Sequence, residues 1–547
     1  MAENARSTLV AKFEAATIPN PAYLKPARFA AIVKREHDPR SVSAAIQSAL
    51  APMGARVEPL SNLDHHAFVI VFPDRVLRGD PAPAFEAAYE LVRQFDLEAA
   101  EPDVLTDVFP EPDPRRAGAP FESIDDFPPG CWSAEQPELN NKKRWALEKL
   151  SLPEAWAFSE AQGRPSRGAG IVIAQPDTGV AAHPELANAI RVPSFDFVAD
   201  DTDPTDPLDY AGNPGHGTGT GSVVISPETG DVCGSAPKAK HMPIRAIESV
   251  VRVSQVAVAQ AIDFAVENGA HVITMSLGGL PSFSLSRALN RAVAADVIVL
   301  AAAGNCVGIV VFPARYDACI AVAGTNSDDV RWQGSSHGPD IDIATPGQNV
   351  FRAKVEKGKP PTVGQGQGTS FAVALAAGVA ACWLAHHGRA NLVAAAHARG
   401  ETLQAMFLRL LKATARRPPG WEGTDLGAGI ANAHRLLEAD FDLDRDKESV
   451  APVPTAEAPA LAVRRFVAES VSVDAARADV DWHLYGPELT LAILNARLGR
   501  APAARGAIRP EAMEAVAAPS LSRTLESVIA GHAPLEAVLG VHSGTKG

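Results

Sequence analysis

Between about Asn140 and Asp440 the chain repeats one alternation, a short apolar run followed by a helix-length segment. Gly170-Ile-Val-Ile-Ala174, His271-Val-Ile-Thr-Met275 and Asp296-Val-Ile-Val-Leu-Ala-Ala-Ala303 are the clearest runs, and Gln255 to Asn268 is one of the segments between them. A strand that is apolar on both faces must be covered on both faces, and parallel strands need crossovers long enough to hold a helix. The alternation therefore predicts an α/β domain, a parallel sheet with helices on each side.

The chain of 547 residues is longer than that domain needs. At roughly 150 residues per domain it has room for three or four. Residues 1–26 read as a flexible N-terminus. From Ala27 to Phe109 strand and helix periods alternate in the order β-α-β-β-α-β, which predicts a small α+β ferredoxin-like sandwich. Residues 110–139, dense in Pro, Gly, Asp and Glu, read as an exposed linker carrying the basic pair Arg115-Arg116. The large domain occupies 140–440. A second linker spans 441–460, and 461–547 reads as a mainly helical C-terminal domain without recognisable chemistry.

Charge and cysteine usage narrow the function. A formal net charge of -14 without a basic cluster argues against nucleic acid as a partner, because phosphate affinity comes from clustered Lys and Arg. No apolar run of about 18 residues predicts a membrane span, and Met1 to Lys25 does not have the plan of a secretion signal. Five cysteines, Cys131, Cys233, Cys306, Cys319 and Cys382, form neither a CxxC pair nor a disulfide framework. They read as reduced thiols, and the expected compartment is cytoplasmic.

Three segments place a nucleophile or an acid-base group among glycines: Asp177-Thr-Gly179 after an apolar strand, His216-Gly-Thr218, and Gly368-Thr-Ser-Phe-Ala372. Glycine permits the sharp turns and close backbone approach that a substrate-facing loop requires. Each tripeptide alone is an ordinary turn. Their order, at intervals of 39 and 154 residues, is far more specific.

In that order the segments resemble the subtilisin-like (subtilase) serine peptidases, and the likeness runs from about Trp145 to Leu437. His183-Pro-Glu-Leu186, Phe195-Asp-Phe-Val198, Met275-Ser-Leu-Gly-Gly279, Ala301-Ala-Ala-Gly-Asn305, Phe312-Pro-Ala-Arg315, Ile320-Ala-Val-Ala-Gly-Thr-Asn326 and Ala344-Thr-Pro-Gly347 extend it in sequence. The resemblance implies that Ser370 is the nucleophile, His216 the general base, Asp177 the residue that orients the imidazole, and Asn305 an oxyanion donor. It also implies an extended peptide substrate along Ser276, Leu277 and Gly278, with Ala303 and Gly304 beside it and an opposing edge near Glu248 to Val251. Two departures stand out. Ala374 and Leu375 follow the serine where the family usually has Pro and His, and Gly219-Thr220 follow the histidine where another His and Val are common.

Several further readings complete the expectation. Cys306-Val-Gly-Ile-Val-Val-Phe312 is apolar and without an acid, which suits either the floor of an apolar P1 pocket or plain core. The chemistry requires no cofactor. Some relatives bind Ca²⁺ near the acidic loop Asp196 to Asp209, which makes Asp196, Asp200 and Asp203 candidate metal ligands, with a solvated acidic loop as the alternative. The N-terminal sandwich resembles the family's propeptide, whose tail, here about Pro102 to Pro110, would enter the cleft. The C-terminal domain offers a surface for a protein partner. A transpeptidase or macrocyclase on the same fold and a non-catalytic peptide-binding scaffold are the competing functions. Gly334-Ser-Ser-His-Gly338 fits the G-x-S-x-G elbow, which requires a strand before Ser336 and a helix after it.

Overall fold

The computed structural model describes residues 2–20, 24–105, 135–187, 189–210, 213–250, 252–421, 423–444, 458–498 and 520–540. Most of the 110–139 linker, with Arg115 and Arg116, and much of the 441–460 linker lie outside the described residues, as does Val251.

The N-terminal part comprises α1 (Ala2–Ala16), β1 (Thr17–Pro19), β2 (Ala27–Ile32), α2 (Pro39–Leu50), β3 (Arg56–Pro59), β4 (Ala67–Phe72), β5 (Arg75–Leu77), α3 (Ala82–Phe95) and β6 (Ala99–Pro102). Its antiparallel sheet has the order β3-β4-β2-β6, with α2 and α3 in the two crossovers, as the β-α-β-β-α-β pattern predicts. Strand β2 shows why its sequence lacks polar alternation. Phe29 and Ala31 face a core with Leu9, Phe13, Ile46 and Leu91, while Ala30 and Ile32 enter a second core shared with Ile262, Leu285 and Leu289 of the large domain. Both faces of the sheet are buried, so both carry apolar side chains. One expectation is overturned here. Residues 2–16 are a helix, not a flexible arm, because Leu9, Phe13 and Ala16 share one face, and the Phe13 ring sits 4.8 Å from Phe29 and 5.1 Å from Phe72.

The large domain runs through α4 (Trp145–Lys149), α5 (Leu152–Ala161), β7 (Val172–Asp177), β8 (Ile190–Arg191), α6 (His216–Ile225), β9 (Lys240–Arg245), α7 (Gln255–Glu267), β10 (Val272–Met275), α8 (Phe283–Ala294), β11 (Ile298–Ala302), β12 (Ile320–Thr325), β13 (Ile343–Pro346), β14 (Val350–Lys354), β15 (Thr362–Gly366), α9 (Thr369–His387), α10 (Arg389–Ala398), α11 (Leu403–Thr414), α12 (Gly423–Leu426) and α13 (Ala433–Glu438). Seven parallel strands form the sheet β13-β12-β11-β10-β7-β9-β8. The chain departs from β7 toward β9 and later crosses to β10 on its other side. Such a switch point opens a crevice at the carboxyl ends of the strands. Helix α9 is apolar and long enough to cross a membrane by length and composition, yet it is buried in the core.

The C-terminal helices α14 (Ala458–Ser470), α15 (Trp482–Leu498), α16 (Arg523–Ile529) and α17 (Ala533–Leu539) differ from the expected separate domain. Phe466, Leu489 and Ile493 belong to the same apolar cluster as Leu280, Phe283 and Phe312, so the tail is built onto the rest of the molecule.

Candidate active site

Asp177 ends β7, and buried strands on both sides leave it 1% exposed. A carboxylate so placed needs partners for both oxygens. Oδ1 accepts from the Thr178 amide at 2.7 Å and meets Nδ1 of His216 at 2.8 Å. Oδ2 accepts from the Thr220 hydroxyl at 3.1 Å. His216 is the first residue of α6, after Gly215 at φ 79°, a left-handed turn that glycine adopts without strain. Gly217 is obligatory for a different reason. A Cβ there would stand 2.1 Å from the Gly179 carbonyl oxygen, so α6 approaches the Asp177 turn closely only because this position is bare.

A second buried acid braces the same turn. Asp206 Oδ2 accepts from Thr178 Oγ1 at 2.7 Å, Tyr210 OH at 2.9 Å and the Gly215 amide at 3.1 Å, and Oδ1 accepts from the Leu208 amide at 3.0 Å. Thr178 Oγ1 in turn accepts from the Gly217 amide at 3.1 Å. One carboxylate thus ties the loop before His216 to the loop after Asp177. Burial raises the Asp206 carboxyl above its ordinary range, and the donors around it only partly offset this.

Ser370 lies in the first turn of α9 and is 8% exposed. Its neighbour Gly368 has φ 149° and ψ 148°, a conformation open essentially to glycine alone, which turns β15 sharply into the helix. The first-turn amides of a helix have no intrahelical acceptor and carry the positive end of its dipole. The Ser370 amide therefore belongs to a position suited to a developing oxyanion. Asn305 reaches the same turn from the loop after β11. Its Oδ1 accepts from the Thr369 amide and hydroxyl, both at 2.9 Å, which fixes the side-chain amide and turns Nδ2 toward Gly368 and Ser370. Ser276 Oγ donates to the Ser370 carbonyl at 3.1 Å and ties the segment after β10 to this helix.

The remaining expected residues fall out unevenly. Ser276 and Leu277 follow β10 and are buried, and the Gly279 amide pairs with the Phe312 carbonyl at 2.9 Å, closing the end of the edge. Ala303 and Gly304 use their backbone groups internally: the Ala303 amide bonds Val322, the Gly304 amide bonds Thr369 Oγ1, and their carbonyls accept from Val311 and Ser336. They hold the Asn305 loop in shape. Val310 and Phe312 are core, 1% exposed each, so of the two readings of 306–312 the interior one applies to them.

Asp196 is paired with Arg245 at 2.8 Å, and its other oxygen accepts the Val198 and Ala199 amides. Asp203 caps Thr205, and among the described residues no three acid, His or Cys side chains gather at one point. Of the three expected ligands, Asp196 already has a guanidinium as its counter-ion.

Ser336 is not a nucleophile elbow, since it is wholly buried and leads into β13 rather than a helix. The cysteines also depart from expectation. Cys233, Cys319 and Cys382 are free, but Cys306, next to Asn305, is disulfide-bonded. Cys306 therefore departs from the reading of all five cysteines as reduced thiols.

Sequence reasoning missed Gln175, Asp206 and His241. Each is a polar side chain buried to 2% exposure or less within hydrogen-bonding reach of the Asp177 turn or its supports.

Residues 168–429 match the model of the Subtilase family. Thermitase of Thermoactinomyces vulgaris is 36% identical over 255 residues, 46% of this chain and 84% of that protein. Subtilisin Savinase of Lederbergia lenta is 34% identical over 209 residues, 38% of this chain and 72% of that protein. Among solved structures, fervidolysin of Fervidobacterium pennivorans, a keratinolytic enzyme related to subtilisin, superposes with a TM-score of 0.54 at 20% identity over 78% of this chain and 63% of its own, a likeness of fold.

Proposed function

Because the chain belongs to the subtilase family and is a subtilisin-like serine endopeptidase, we propose that Asp177, His216 and Ser370 are its catalytic triad, with Asn305 and the Ser370 amide as the oxyanion donors. The observation that carries this assignment is the buried His216–Asp177 bond, with Oδ1 at 2.8 Å from the imidazole Nδ1. A serine hydroxyl is a weak nucleophile near neutral pH and must lose its proton as it attacks. Asp177 holds the imidazole in the tautomer whose Nε2 can take that proton, and it stabilises the imidazolium that results. The carbonyl oxygen of the scissile bond gains charge as the tetrahedral intermediate forms, and the Asn305 Nδ2 and Ser370 amide donors stabilise that charge. The imidazolium then gives its proton to the leaving amine, and water repeats the sequence on the acyl-enzyme.

The N-terminal sandwich supports a second part of the proposal, that it is an inhibitory or folding domain seated on the catalytic domain. Glu101 of β6 is buried at the start of α8, where it accepts from Ser282 Oγ and Ser284 Oγ at 2.6 Å each and from the Phe283 amide at 2.9 Å. Asp103 does the same at the start of α7, with Ser254 Oγ at 2.7 Å and Arg28 at 2.6 Å. Burial works against the Asp103 carboxylate, but Arg28 and Lys25 hold it below its ordinary range. The chain leaves β6 beside Ser254, close to the expected substrate edge at 248–251.

Fluorophosphonate labelling and intact mass over time, for the parent and Ser370→Ala, test both parts. Labelling of the parent alone is expected, together with a mass loss matching cleavage between about Phe109 and Arg144. A catalytic domain that stays unlabelled after the N-terminal domain has been removed ends the triad assignment. Label without mass loss means the N-terminal domain is permanent.

A further inference from the structure

Beneath the Asp177–His216 pair runs a line of buried polar side chains that the reaction as described does not use. His241 Nε2 lies 2.8 Å from Gln175 Oε1. Gln175 Nε2 lies 2.7 Å from Thr220 Oγ1 and 2.9 Å from the Gly217 carbonyl oxygen. Thr220 Oγ1 lies 3.1 Å from Asp177 Oδ2. Gln175, Thr220, His241 and Asp177 are each exposed by 2% or less.

The direction of every bond follows from one fixed point. The Gly217 carbonyl can only accept, so the atom facing it must be the Gln175 NH₂ group, and Oε1 must then face His241. His241 consequently carries its proton on Nε2. Both Gln175 hydrogens are committed, one to Gly217 and one to the Thr220 oxygen, so the single Thr220 hydrogen points elsewhere. Its choices are Asp177 Oδ2 and the His216 carbonyl, both at 3.1 Å, and the Gly217 carbonyl at 3.4 Å, and the charged acceptor is the strongest. The donors thus run in one sense from His241 to the carboxylate. Gly221 makes room for the line: a Cβ there would stand 2.9 Å from Gln175 Oε1 and 3.4 Å from His241 Cε1.

We propose that Thr220, set by Gln175 and His241, is a positioning residue for the reaction: it holds the far oxygen of Asp177 so that the near oxygen stays aimed at His216. Without that donor the buried Oδ2 keeps only a long contact, 3.5 Å from Gln175 Nε2, and the carboxylate is free to rotate toward a better donor. This inference rests on the triad assignment above. The bland alternative is a helix threonine that merely bonds the carbonyl four residues back.

The test compares kcat, KM and Tm of the full-length parent, Thr220→Val, Thr220→Ser, Gln175→Met and the Thr220→Val/Gln175→Met pair on a chromogenic peptide, across the pH range in which His216 titrates. Thr220→Val keeps the side-chain shape and is expected to lower kcat about 10- to 100-fold with little change in KM. The acidic limb of kcat/KM should move to higher pH, because an unshared Oδ2 charge holds the imidazolium more tightly. Thr220→Ser should recover most of the loss. Gln175→Met should lower kcat less, and the pair should be no worse than Thr220→Val alone, since Gln175 acts through Thr220. An unchanged kcat in Thr220→Val, a loss that Ser does not recover, or additive losses in the pair would each overturn the proposal. If Thr220→Val does not fold, an unmoved kcat and acidic limb in Gln175→Met overturns it instead. A parent that neither turns over peptide nor reacts with a fluorophosphonate, even after cleavage of its N-terminal domain, removes the triad assignment and this inference together, whereas an active parent with unaffected variants removes this inference alone.

Discussion

At Asn305 two bonds to Thr369 decide what the side chain can do. With Oδ1 committed to the Thr369 amide and hydroxyl, Nδ2 has one useful direction, and it is the turn that carries Ser370. Asn305→Ala is therefore expected to lower kcat by about 10²–10³, the size measured for the corresponding donor in subtilisin itself, while KM stays near the parent value. A KM effect of equal size would mean that Asn305 binds substrate in the ground state rather than the oxyanion. The neighbouring Cys306 permits a covalent check. Alkylation of the denatured chain without reductant should modify Cys233, Cys319 and Cys382 but not Cys306, which should react only after reduction, read by peptide mass. Alkylation of Cys306 before reduction would rule the bond out. Asp177, His216 and Ser370 stood out by the order and spacing of their Gly-containing segments, and Asn305 only through the resemblance to the family. Gln175, Asp206 and His241 did not, because nothing local distinguishes a polar residue that will be buried and bonded from one that will face water. The pairing of Asp196 with Arg245 was illegible for the same reason, 49 residues separating the partners.

Helices α7 and α8 are ordinary elements with an unusual supply of caps. Each opens on its own serine, Ser254 and Ser282, whose hydroxyl accepts from the amide three residues on. Each serine also donates its hydroxyl proton to a carboxylate from the other domain, Asp103 or Glu101. The N-terminal sheet therefore docks by completing two helix ends whose dipoles favour negative charge. Glu101→Ala leaves the Phe283 amide and the Ser282 and Ser284 hydroxyls without that acceptor inside a closed interface. A lost charged hydrogen bond costs about 1.5–3 kcal/mol, so the docked state should weaken by about 10- to 100-fold, measured as the affinity of the separated N-terminal domain or as a lower Tm. An unchanged Tm and affinity would show that apolar contact between β2, β4 and α8 suffices. The sandwich itself was legible as an order of periods, but its docking face was not: Ala30, Ile32, Ala67 and Val69 read as strand interior whichever core they enter. Helix α1 was missed because the signal was three residues, Leu9, Phe13 and Ala16, in a polar setting.

The C-terminal helices join what the sequence suggested were separate bodies. Arg465 of α14 pairs with Asp317 and Asp340 of the large domain, and the buried Arg315 pairs with Glu469. From α15, Glu488 reaches the other way: Oε2 accepts from Tyr89 OH of α3 at 2.7 Å and from Ser522 Oγ at 2.8 Å, and Oε1 accepts from the Ser522 amide at 2.6 Å. The Tyr485 and Tyr89 rings meet edge-on at 5.0 Å, and the Thr524 amide donates to Glu86. One tail thus touches both domains, so a cut between residues 105 and 135 should leave the N-terminal domain attached, the two pieces eluting together under native conditions. Burial pushes the Glu488 carboxyl up to about 7, with the Glu86 charge adding to it and the Ser522 and Tyr89 donors opposing it. Glu86 itself keeps a lowered value despite its burial, held by the Thr524 amide and Lys12, so it stays charged over the range concerned. A carboxyl raised from an ordinary value of 4.5 binds its proton more tightly when docked, so its contribution is fully present below about 4.5 and is lost as pH rises through about 7. The loss is on the order of 3 kcal/mol at most. The nicked pieces should therefore separate more readily at pH 8 than at pH 5, seen as a growing free-fragment peak. Glu488→Gln, neutral at every pH, should flatten that difference. Equal dissociation at both pH values in the parent would show that the Glu488 contact does not hold the two domains, leaving the α7 and α8 caps to do so alone.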